Sequence, residues 1–185
     1  GRALHARKSA VGFVSFPKLA RHMSERWKII LKNHLGGGLI YMCGDAVAAL
    51  ITGEFGMLRA LGVFVIGAGL YGFEIPRYFR WIESKMAGVP DKRRAALKTG
   101  LALVYFNPLW IARHLCLVYL VSGKTGEIGW QLLRISGLSF LINIPVSIVA
   151  NYLIQNKVPL RYRFWVSALF SGLMAIYYSM SSAWF

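Results

Sequence analysis

The sequence predicts an all-α protein, a polytopic transmembrane bundle of four to five spanning helices with an amphipathic N-terminal helix. Three observations carry that expectation. The 185 residues are 56% hydrophobic, with a mean hydropathy of +0.49, too apolar for a soluble domain of this size. Apolar stretches approaching the roughly 20 residues needed to cross a bilayer recur along the chain. The 22 Lys and Arg and 7 Asp and Glu, which give a net charge of +15, are segregated into the links between those stretches. None of the stretches alternates polar with apolar residues as a barrel strand does, and backbone groups in lipid must bond within their own segment.

Residues 1–33 form the first unit, a basic arm. Its opening carries many Arg and Lys and one acid, Glu25, which reads as the remnant of a mitochondrial targeting region or a mature N-terminus exposed by processing. From Phe16 to Lys32, Phe16, Leu19, Met23, Trp27, Ile30 and Leu31 recur every three to four residues, while Arg21, Arg26, Lys28 and Lys32 fill much of the remaining face. That amphipathic pattern suits an anionic membrane surface, with Trp27 at headgroup depth. A basic helix packed on a partner subunit fits the same pattern.

Residues 34–185 form the second unit. Its five candidate spans run over 35–51, 60–78, 95–121, 135–153 and 164–184. The first is the shortest and richest in glycine, so four full crossings are also compatible with the pattern. The flanking segments alternate between strongly and weakly basic, as five crossings with a positive-inside bias require. Gly44 and Ala48, and Ala168 and Gly172, are four apart, the spacing that lets membrane helices approach closely.

A few polar residues fall inside these spans. Asp45 is costly in a membrane helix and calls for a partner, for which Arg113 or His114 is the candidate; Glu74 is expected to pair with Arg77 or Arg80 near the surface. Asp45 suits an anchor between helices, or a pore. Pro108, after Asn107, and Pro145 are expected to kink their spans. Asn151 is expected to face the bundle and bond a neighbouring helix. Arg163, after Pro159, is expected to cap carbonyls or pair with an acid and so fix the last turn. Cys43 and Cys116 sit in apolar runs and read as two buried thiols rather than a disulfide.

No catalytic or metal-ligating pattern emerges. Gly123–Thr125 ends like a phosphate-binding loop, but Val118 stands where the motif needs glycine and no strand precedes it. The four histidines show no ligand spacing, and the Ser, His and Asp residues form no nucleophile motif. The expectation is a protein that is not an enzyme and has no cofactor, apart from a bound phospholipid such as cardiolipin.

Three C-terminal blocks, around Pro145 and Asn151, Pro159 and Arg163, and Tyr177 and Ser179, with looser matches back to Leu35, resemble the Mpv-seventeen / peroxisomal membrane protein family of small organelle membrane proteins. Its Trp-Pro-x-x-Gln-x-x-Asn-Phe block reads here as Ile144, Pro145, Ile148, Asn151, Tyr152; its Val-Pro-x-x-x-Arg as Val158, Pro159, Arg163; its Trp-x-x-Tyr-Leu-Ser as Met174, Tyr177, Tyr178, Ser179. Gly44-Asp45 matches the family's first-helix Gly-Asp, and Gly72, Lys98, Pro108 and Gly123 fall at family spacing. The family's polar positions fall on Pro76, Ala102-Leu103 and Ile148, so the scaffold is kept while much of the polar interior is lost.

The resemblance implies a mitochondrial inner-membrane protein, with the peroxisomal membrane as runner-up. The stripped interior favours a structural or accessory subunit of a larger membrane complex, such as a respiratory-chain assembly, with anionic lipids and other membrane subunits as partners. The alternative is a channel-like small-solute pore, alone or as a homo-oligomer, with a water path lined by Asp45, Asn107, Asn143 and Asn151. A nucleic-acid or ribosome tether is the weakest reading of the basic arm, since charge spacing does not separate lipid phosphate from RNA phosphate.

Overall fold

The structure is a computed structural model that describes residues 16–184, and side chains only for residues 27, 28, 30–174, 176 and 177. Seven helices make it up: α1 (Phe16–Ile51), α2 (Met57–Ile66), α3 (Gly72–Lys85), α4 (Asp91–Tyr105), α5 (Pro108–Val121), α6 (Trp130–Asn156) and α7 (Leu160–Trp184). There is no strand among the described residues. Four stretches are long and apolar enough to cross a membrane: Ile30–Ile51, Met57–Lys85, Asp91–Val121 and Trp130–Asn156. The protein is therefore an all-α, polytopic membrane protein. The 25 residues of α7 also reach across a bilayer by length, at about 1.5 Å per residue.

The chain divides into two compact units, Gly1–Lys32 and Asn33–Phe185. In the first, Trp27, Ile30 and Leu31 are exposed, as are Lys28 and Lys32. The surface roles expected of Arg21 and Arg26 fall on side chains outside those described, as does the motif position Ser179.

In the second unit, helix directions follow from which residues meet. Asp45 on α1 meets Arg59 at the start of α2, and His34 meets Ala68 further on, so these two crossings are antiparallel. Tyr78 bonds Leu101 and Glu83 bonds Lys98, so α3 and α4 are antiparallel. Asn156, at the end of α6, reaches Thr99 near the start of α4. Asn33 meets Trp165, and Gly44 lies against Gly172, so α1 and α7 run parallel. Five alternating passes satisfy all of these contacts. They gather Lys85, Lys92, Arg93, Lys98, Lys157, Arg161 and Arg163 at one end of the bundle, and leave Glu54, Lys124 and Glu127 at the other.

Two passes are interrupted. Between α2 and α3, Gly67–Tyr71 form a wide π turn, of the kind that accompanies bends. The pass Asp91–Val121 is two helices rather than one kinked helix. Asn107 is the N-cap of α5: its Oδ1 accepts from Trp110 N at 3.0 Å and its Nδ2 donates to Val104 O at 2.9 Å. Pro108 occupies the first helical position, where a missing N–H costs nothing. This corrects the kink expected there. Pro145 does lie inside α6, on the side away from the buried Asn143 and Ser147.

The apolar core is built by Tyr71, Ile75, Phe79 and Ile82 on the π turn and α3, with Val63, Ile111 and Phe164 around them. Gly44 permits the closest approach of α1 and α7, because a Cβ there would come to 2.6 Å of Gly172 Cα. The close packing inferred from the small residues at 44, 48, 168 and 172 is thus a backbone contact, with Ala48 and Ala168 both buried. Cys43 is exposed and Cys116 half-buried, so the thiols do not sit in the core; Cys43 faces outward beside this helix pair.

Candidate functional site

The chemistry inside the bundle is concentrated in three polar clusters. Asp45 anchors the first. Its two carboxylate oxygens accept from Arg59 Nε and Nη2, each at 2.8 Å, and the two side chains are only 5% and 8% exposed. The planar guanidinium matches a carboxylate in this two-point geometry. The partner of Asp45 is therefore Arg59 and not Arg113, because α2 starts directly above Asp45 once the chain has turned at Gly53, whose φ of +72° suits glycine. Outside the apolar layer, Glu54 accepts from Arg59 at 3.2 Å and from Lys124 at 2.6 Å. The Lys124 ammonium holds the Glu54 carboxyl below its ordinary value of 4.5, and Glu54 in turn raises Lys124.

The second cluster lies at the basic end. Glu83 accepts from Lys98 Nζ at 2.7 Å and from Arg163 Nη1. Arg163 also donates to Val158 O at 2.9 Å, across the turn that Pro159 begins. It thus both caps a carbonyl and pairs with an acid, which ties the α6–α7 corner to α3. Gln155, wholly buried, lies 3.5 Å from Arg163 through its oxygen.

The third cluster is central. Ser136, Ser139, Asn143, Ser147, Asn151 and Gln155 on α6 are all buried. Spaced three to four apart, they form one polar stripe of about 28 Å at the usual helical rise, close to the thickness of a hydrocarbon core. Most of the bonds stay within the helix. Ser136 donates to Leu132 O at 2.6 Å, Asn143 to Ser147 Oγ at 3.0 Å, and Asn151 to Ser147 O at 2.9 Å. Asn143 also donates to Met174 Sδ on α7 at 3.1 Å. Asn151 faces the bundle as expected, yet its amide bonds its own helix rather than a neighbour. Such back-bonding lets a polar side chain sit in an apolar interior without a partner helix.

Beside this stripe is an internal cavity of about 30 Å³, lined by Tyr41, Trp110, His114, Ser147, Asn151, Ser167 and Ser171 among others. By volume it suits one or two water molecules. His114 is buried, stacked on Trp110 at 5.7 Å, with the Tyr71 hydroxyl 2.9 Å from its Nδ1. A fourth polar pair lies on the outer side: Arg113 meets Glu74 at 3.1–3.2 Å through both nitrogens. Glu74 is therefore not held by Arg77 or Arg80; Arg77 instead folds over the ring of Phe73.

The four residues expected to line one water path do not come together. Asp45 is sealed by Arg59, Asn107 caps α5, and Asn143 and Asn151 lie along α6. Sequence reasoning missed Arg59, Ser136, Ser139, Ser147 and Gln155. The last four were detectable from their spacing with Asn143 and Asn151. Among the described residues no cluster of three or more His, Cys, Asp or Glu is placed to hold a metal. Gly72 packs on His34, and Tyr177 lies against the core.

These features define a membrane helix bundle with paired buried charges among the described residues. Comparison with known protein families, with curated proteins and with solved structures returns no match.

Proposed function

We propose that the protein is a non-enzymatic structural or accessory subunit of a larger assembly in the mitochondrial inner membrane, such as a respiratory-chain complex, built on a scaffold that resembles the Mpv-seventeen type. The observation that supports this best is the way its buried charges and asparagines are committed within the bundle: Asp45 to Arg59, Glu83 to Lys98 and Arg163, Asn151 to its own helix, and Asn143 to Ser147 and Met174. A scaffold needs such groups only to fix its helices, whereas a pathway for solutes needs them facing water. The mitochondrial assignment rests on the basic arm and the quoted motifs, with the peroxisomal membrane as runner-up. Anionic phospholipid, cardiolipin included, is the proposed lipid partner of Trp27, Lys28 and Lys32. Purification in mild detergent followed by mass analysis tests the reading. A defined heteromeric complex supports it; a free monomer contradicts it.

The polar stripe on α6 favours the second reading, a channel-like pore. Homo-oligomers on purification, together with solute flux, would establish that reading in its place.

A further inference from the structure

Two of the ion pairs within the membrane-crossing helices, Asp45–Arg59 and Glu74–Arg113, differ in one respect. Asp45 and Arg59 are sealed, with 5% and 8% of their side chains exposed, whereas Glu74 and Arg113 retain 29% and 38%. The open pair borders a groove of about 390 Å³ on the outer face of α3, α4 and α5, with Tyr78, Val104, Tyr105, Asn107, Leu109 and Trp110 around it. Its depth follows from the helix lengths. Glu74 lies three residues from the middle of Met57–Lys85. At about 1.5 Å per residue it is roughly 5 Å from the middle of its pass, inside a hydrocarbon layer of about 30 Å, and Arg113 meets it there at 3.1–3.2 Å. Charged groups at that depth ordinarily face the interior of an assembly or a water cavity.

Arg77 lies one turn further along α3, at the edge of the groove rather than among the side chains that line it. It is exposed, lies over the ring of Phe73 and donates to the Phe73 carbonyl. The Glu74–Arg113 pair is neutral, so Arg77 leaves this face with one net positive charge.

We infer that this groove receives a transmembrane helix of another chain, one that carries a carboxylate side chain at the depth of Arg77 and hydrogen-bonding groups beside Glu74 and Arg113. The inference rests on the subunit reading and names the face through which the subunit attaches. The partner's carboxylate neutralises Arg77, and its polar side chains cover the open edge of the ion pair. Leu109 and Val104, 67% and 65% exposed, form the apolar rim against which the partner helix packs.

The test uses the full chain in its own membrane, with a photo-crosslinking residue at Leu109 or, as a control, at Leu141 on the outer face of α6, which is 63% exposed. The expected result is a discrete protein adduct from position 109 and none from 141. The Glu74→Leu/Arg113→Leu double variant should lower that adduct at least threefold, the factor for one interhelical hydrogen bond, while the thermal stability of the extracted protein is unchanged or raised. Arg77→Leu should lower the adduct similarly, and Arg77→Lys should preserve it. Lipid adducts alone at 109, an adduct with a second copy of this chain, or an adduct indifferent to these variants overturns the inference. If the double variant fails to fold, the 109-against-141 comparison in the otherwise native chain and the two Arg77 variants decide. A chain that purifies in a heteromeric complex but crosslinks only from 141 overturns this groove and leaves the subunit reading standing. A chain that purifies as a monomer overturns both.

Discussion

Replacing Arg59 with Met should be among the most damaging single changes in the bundle, and more damaging than replacing its partner. Asp45 is 5% exposed and receives two bonds of 2.8 Å, both from Arg59. Arg59→Met leaves that carboxylate in an apolar layer with no cation bonded to it, a change that costs about 3–5 kcal/mol when one partner of a buried pair is removed. Asp45→Asn is milder, because Arg59 keeps Glu54 at 3.2 Å and the new amide oxygen still accepts one bond; about 1–2 kcal/mol is expected. The double change Asp45→Leu/Arg59→Leu removes both charges and should recover most of the loss, since apolar replacement of a whole buried pair is close to neutral. Reversible unfolding in mixed micelles, titrated with denaturing detergent, measures all three. The reasoning is refuted if Asp45→Asn costs as much as Arg59→Met, or if Arg59→Met costs under about 1 kcal/mol.

Other outcomes follow from the same geometry. Glu83→Gln should destabilise more than Lys98→Met in the same unfolding assay, because it strands two buried cations where the lysine change removes one of two partners. Gly44→Ala should cost about 1–3 kcal/mol, since the new methyl meets the Gly172 backbone at 2.6 Å; Gly137→Ala on α6 meets nothing within 4 Å and should gain up to about 1 kcal/mol in thermal unfolding. Glu54, held below 4.5 by Lys124, contributes stability that is fully present above pH 4.5 and is lost as pH falls through its lowered value. Glu54→Gln should therefore flatten the acid limb of a stability-against-pH curve, by a small amount because the side chain is 43% exposed. A peptide covering residues 11–34 should bind cardiolipin-containing liposomes in a salt-sensitive way, and lose binding when Trp27 and Ile30 become polar.

Hydropathy and charge segregation pointed to four to five spans, and four stretches of the structure are long and apolar enough to cross, because burial in lipid leaves a long apolar run that no turn chemistry hides. What they could not supply was pairing across passes. Arg59 looked like part of a neutral link beside Glu54, and only the tight turn at Gly53 brings it over Asp45. Asn107-Pro108 read as a kink because a proline within an apolar run does not reveal whether the helix bends or restarts; the Asn107 side chain, bonded on both sides of the break, decides it. The buried face of α6 was written in the sequence at intervals of three and four. The polar position of the family it resembles falls on the outward-facing Ile148, on the other side of the helix from this stripe. A protein expected to have lost much of its polar interior in fact keeps one, moved to serines and asparagines that bond mostly within their own helix.

The proposed subunit role requires an interior that is sealed and fixes helices rather than conducts. Release of a small sugar from proteoliposomes containing the purified chain tests that claim most directly. The expected result is leakage equal to that of empty liposomes, both for the native chain and for Asn151→Ala. Sugar release that scales with the amount of protein and changes with Asn151→Ala or Ser147→Ala would contradict it.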